Sequence, residues 1–164
     1  MSAALRREMA QRMFDAAAAF YQAGQRCSVP IALSPVHTVS LGAPPIVCYA
    51  FAIELYLKLL ILLTTGRQAR GHVLLVLYKQ LNASTCALCA AHFIYPDRED
   101  LLREAIAGIS TTFEDWRYAH EKAFLATSFD SFERVGRSLH KAVSVIDPDL
   151  VSVFDRGPIT AVEE

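Results

Sequence analysis

The run Ile46–Thr65, reading IVCYAFAIELYLKLLILLTT, constrains this chain more than any other stretch. Pro44 and Pro45 stand where a helix can begin, and Gly66 stands where one can end. Twenty residues at about 1.5 Å each span roughly 30 Å, the thickness of a bilayer core as well as of a small domain. Eleven Leu, Ile, Val and Phe residues favour insertion, at roughly 0.3–0.6 kcal/mol each. Glu54 and Lys58 near its centre oppose insertion by about 2.5–3.5 kcal/mol each. The two sums about cancel. Because Glu54 precedes Lys58 by four residues, the order that suits an intrahelical ion pair, the run also works as the central helix of a bundle. No charged flank sets a membrane orientation, so a buried helix without stable membrane association is the expectation.

The rest of the chain reads as helices around that one. Leu5, Met9, Met13, Ala16, Ala17 and Phe20 recur at helical intervals before Gly24. Residues 25–45 hold Pro30, Pro35, Pro44 and Pro45 and read as a long connection. Further helices are expected over residues 73–81, with His72 as a cap, from Ser84 to about Tyr95, and from Pro96-Asp97 to about Ser110. A long one capped by Ser128 or Asp130 runs to Ile146, and a last turn runs from Pro148 to Phe154. No strand alternation competes, so the fold class is all-α, an up-and-down bundle of four to five main helices. With 164 residues the chain makes one domain, residues 1–155, followed by a flexible tail over 156–164.

Charge narrows the partners. Sixteen basic and seventeen acidic side chains leave a net charge of −1, so no global field recruits nucleic acid and any anion site must be local. Twelve of the basic residues are Arg, whose planar fork suits phosphate and carboxylate. The N-terminus, SAALRREMAQR, is not a secretory signal, which points to a reducing cytoplasm. Cys86, Cys89 and His92 have the spacing that starts a metal site, but no second ligand pair follows, so buried helical cysteines and no metal or cofactor are expected. A charge inside an apolar helix needs a partner. Arg117 for Glu54, and Glu114 or Glu121 for Lys58, are the candidates.

Three stretches, AFAIELYLKLLILL at 50–63, GRQARGHVLLVLYKQL at 66–81 and FEDWRYAHEK at 113–122, together resemble the HEPN superfamily in order and spacing over roughly residues 45–145. The resemblance implies a helical bundle, usually a homodimer. In many relatives it implies a metal-independent endoribonuclease of toxin or defence systems, with an antitoxin as a possible protein partner. Active members carry an Arg, four to six residues, then a His, late in the domain. Such a pair supplies a base for the 2′-hydroxyl and a cation for the phosphate. Here Arg117 precedes His120 with only two residues between them, whereas Arg67 precedes His72 with four but lies early. Arg117 and His120 are therefore the catalytic candidates. Arg67, Arg70, His72, Glu54, Lys58, Trp116 and Tyr118 are the ligand-binding ones. Three functions stay open: a non-catalytic module binding RNA, a nucleotide or a protein; the ribonuclease; and a purely structural interaction domain.

Overall fold

The computed structural model describes residues 2–96, 98–110 and 129–152. The fold is all-α with one small hairpin. Helices α1 (Ala3–Ser28), α2 (Ala43–Thr65), α4 (Ala83–Ala91), α5 (Glu99–Gly108) and α6 (Phe129–Ile146) are the main elements. Helix α3 (Leu74–Tyr78) is a short turn between them, and strands β1 (Ile31–Ser34) and β2 (His37–Val39) join α1 to α2.

Ser2 starts α1 by accepting the Leu5 amide on its hydroxyl. Ala10, Phe14, Ala17, Tyr21 and Gly24 form the buried stripe that packs antiparallel on α2, with Phe20 edge-on to Phe51 and Tyr21 to Tyr49. The helix does not stop at Gly24. A Cβ there would sit 2.8 Å from the Tyr49 ring, so this glycine permits a close helix crossing and α1 continues to Ser28. The expected loop over 25–45 is thus partly helix and partly sheet. Ile31 faces Val39 and Ala32 faces Thr38, with Leu33 bulged out of β1. The prolines exclude helix, but Pro30 precedes β1 and Pro35-Val36 make the turn, leaving the β-branched residues free to pair.

Helix α2 begins with prolines in its first turn and ends at Gly66, whose φ of 70° and amide bond to the Leu62 carbonyl close it. It is the one described helix long and apolar enough to cross a membrane, yet most of its apolar run is buried inside the fold between α1 and α6. Helix α6 presents Phe132, Val135, Leu139, Ala142 and Val143 to that core, and its Ser138 hydroxyl donates to the Cys89 carbonyl of α4 at 2.6 Å.

Several boundaries differ from the sequence reading. Asn82, not Ser84, caps α4, because its extended backbone lets Oδ1 accept the Thr85 amide at 2.9 Å. That helix ends at Ala91 rather than near Tyr95, and α5 starts at Glu99, beyond Pro96. Asp130 lies inside the first turn of α6. Pro148 and Asp149 form a turn that continues no helix through residue 152. Phe154, Ser128 and the tail over 156–164 lie outside the described residues. Cys86 and Cys89 are buried in α4, as their apolar setting implies.

Candidate functional site

Three of the residues singled out from the sequence meet beside the middle of α2, where the chain leaving its end folds back. Glu54 projects from α2 with its side chain only 3% exposed, and its Oε1 accepts the Lys58 Nζ at 2.7 Å. The same oxygen lies 3.0 Å from His72 Nδ1. A carboxylate only accepts, so that imidazole nitrogen is the donor. Lys58 is 18% exposed and His72 63%. The network therefore runs from the core outward, one end sealed and the other open to solvent.

Two left-handed glycines make the convergence possible. Gly66, at φ 70°, and Gly71, at φ 92°, turn the chain after α2 back across its last turns, and the Arg67 amide donates to Thr65 Oγ1 at 3.2 Å. His72 does not cap α3. Ser110 does that work instead: its carbonyl accepts the Leu74 amide and its hydroxyl accepts the Leu75 amide at 2.8 Å. With those amides satisfied by Ser110, just past α5, the imidazole turns to Glu54 instead. Glu54 thus pairs with both Lys58 and His72; the further partners read from the sequence, Arg117, Glu114 and Glu121, lie outside the described residues.

Around this network the surface is basic. Residues 66–73 contain Arg67, Arg70 and His72 and no acid, and both arginines are exposed. Arg6 joins them from α1, since a Cβ at Gly66 would sit 3.0 Å from its Nη1. A guanidinium there also faces the negative end of the α2 dipole. Sequence reasoning missed Arg6, because nothing in the spacing of residues 6 and 66 shows that antiparallel helices bring them together. Beside Lys58 lies a shallow groove of about 330 Å³ lined by Met9, Met13, Leu62, Gln68 and Ala69. The Gln68 amide reaches Met9 Sδ at 3.0 Å.

The catalytic candidates Arg117 and His120, with Trp116 and Tyr118, lie outside the described residues. The Arg-to-His spacing of active HEPN members occurs once more, late in the chain, at Arg134 and His140 with five residues between them. This pair was legible from spacing alone. The structure separates it: Arg134 lines a groove with His92 and Arg137 and is paired with Asp130. His140 stacks on Phe14, lies 2.9 Å from the Tyr56 hydroxyl, and lines a different groove with Ser144 and Pro148. Six helical residues set the two side chains about 120° apart around α6 and roughly 9 Å apart along it. Among the described residues, no group of three or more metal-ligating side chains converges.

Protein-family models, curated proteins and solved structures give no match to the chain.

Proposed function

We propose that this chain is a HEPN-like, cytoplasmic, homodimeric module that binds RNA or a nucleotide by its phosphates, without turnover, at the basic end formed by Arg6, Arg67, Arg70, His72 and Lys58. The observation that supports this reading is the loop 66–73. Two positive-φ glycines and a buried carboxylate hold His72 in place, while the exposed Arg67 and Arg70 have no acidic neighbour within the loop. Exposed guanidinium groups suit phosphate, because their planar fork is pre-organised and little order is lost per bond formed. Glu54 neutralises Lys58, so the arginines provide most of the attraction.

Fluorescence anisotropy with a short single-stranded RNA tests it. Three phosphate contacts give a slope of about −2 in log K against log salt, so raising salt from 50 to 200 mM weakens binding about 16-fold. The double variant Arg67→Ala/Arg70→Ala should lower the slope by about 1.4. A salt response identical in wild type and variant would exclude this end as the binding site.

One observation favours a second reading, the metal-independent ribonuclease. A buried carboxylate on Nδ1 fixes the tautomer and orientation of an imidazole, which is how a general base is positioned. Arg67 precedes His72 at the signature spacing. Incubation with RNA in EDTA separates the readings. Intact RNA supports the binder; cleavage lost in His72→Ala or His120→Ala supports the enzyme and names its base.

A further inference from the structure

The hairpin between α1 and α2 is built unlike the rest of the surface. From Cys27 to Ile53 the chain has no Asp, Glu, Lys or Arg. All seven residues of β1 and β2 are exposed. Among the described residues, six of the thirteen exposed large apolar ones lie within residues 29–41: Val29, Ile31, Leu33, Val36, Val39 and Leu41, with Val36 at the turn 96% exposed. Each strand's main contact is the other strand. A lone two-stranded hairpin is marginal in water, whereas three or more strands with an apolar face hold together. Among the described residues, no further strand pairs with either edge, and the hairpin itself carries no charged gatekeeper.

We infer that this hairpin is a homotypic interface, in which β2 pairs antiparallel with β2 of a second copy to form a four-stranded sheet across a two-fold axis. The bulge at Leu33 bends β1 and blunts its edge, leaving β2 as the regular one. An antiparallel strand pairing with itself is self-complementary, as a two-fold interface requires. Centred on Thr38, it sets Thr38 opposite Thr38 of the partner subunit, a favourable cross-strand pair, and His37 opposite the partner's Val39. An uncharged patch offers nothing for a charged partner to recognise and nothing to repel its own copy. The inference rests on the dimer in the functional reading but not on its ligand: the hairpin leads into Ala43 at the start of α2, whereas the basic loop leaves its end and returns only as far as Glu54, eleven residues or about 16 Å further along.

Sedimentation over a concentration series tests it, together with a cross-link. Directly opposed antiparallel residues have Cα atoms about 4.5–5.5 Å apart, within disulfide range. Thr38→Cys should therefore form a linked dimer with oxidised glutathione, and Val36→Cys at the turn should not. Thr38→Pro/Val39→Lys should weaken the dimer at least 100-fold with the helical circular dichroism unchanged, because the hairpin lies outside the core. A wild type that is monomeric throughout overturns the inference and the dimer in the functional reading with it. A dimer that ignores the hairpin variants overturns the hairpin assignment alone. Wild-type binding to neutral phosphatidylcholine vesicles, abolished by Thr38→Pro/Val39→Lys, makes the occupant a membrane and overturns it too.

Discussion

Removing Lys58 should cost more than removing the acid it pairs with. Glu54 is the sealed partner, at 3% exposed, whereas Lys58 at 18% can carry its ammonium toward solvent along its own stem. Lys58→Met leaves a buried carboxylate with, among the described residues, only the His72 contact, and breaking a buried pair this way costs about 3–5 kcal/mol. Glu54→Leu leaves a lysine and a histidine that reach water, so about 2–3 kcal/mol is expected. For a chain of this size each kcal/mol moves Tm by about 2–4 °C, so the acid variant should fall by roughly 4–12 °C and the lysine variant further. The double variant Glu54→Leu/Lys58→Met replaces the pair by apolar groups of similar volume and should be more stable than Lys58→Met alone. Urea denaturation of all four proteins closes the cycle. Additive single effects, each under about 1 kcal/mol, would show that the pair is a solvated surface contact and refute the reasoning.

Other consequences follow from close packing, capping and burial. Gly136→Ala sets two rules against each other: helix propensity favours alanine by about 1 kcal/mol, but a Cβ there would sit 2.7 Å from the Tyr21 ring. Overpacking of this kind costs about 1–3 kcal/mol and should win, so a raised Tm would contradict the packing. Ser110→Ala removes the acceptor of the Leu75 amide and should cost about 1–2 kcal/mol in denaturant titration, with an unchanged midpoint counting against its capping role. Burial pushes the Cys89 thiol up to about 12 from its ordinary value of 9.0. The folded state thus holds its proton more tightly, and the stability this gives is present below pH 9 and lost as pH rises toward 12. Cys89 should contribute about 1.4 kcal/mol per pH unit to the alkaline loss, and Cys89→Ala should make the slope shallower by that amount while the raised Tyr21, Tyr78 and Cys86 groups keep the rest. At pH 8, thiol reagents should label Cys27 and Cys48 in the folded protein and reach Cys86 and Cys89 only on unfolding.

Helix α2 was legible because length, apolar content, leading prolines and a closing glycine all agree, and the Glu54–Lys58 pair because four-residue spacing is local geometry. His72 was singled out for its neighbours in sequence, but its role depends on Ser110, 38 residues away, taking over the cap. The hairpin stayed hidden because strands of four and three residues are shorter than the period needed to display alternation, and four prolines dominated the reading. Arg6 at the basic end depends on the antiparallel docking of α1 on α2, a tertiary fact with no local signal.

The central claim is that phosphate is held at the end of the bundle where loop 66–73 folds back over α2. The most direct test is backbone amide NMR of the protein titrated with a short single-stranded RNA. The largest shifts should fall on residues 66–73, with smaller ones at Arg6 and Lys58 and none on the hairpin. Shifts concentrated elsewhere, such as around Arg134 and Arg137, or none at all, would contradict it.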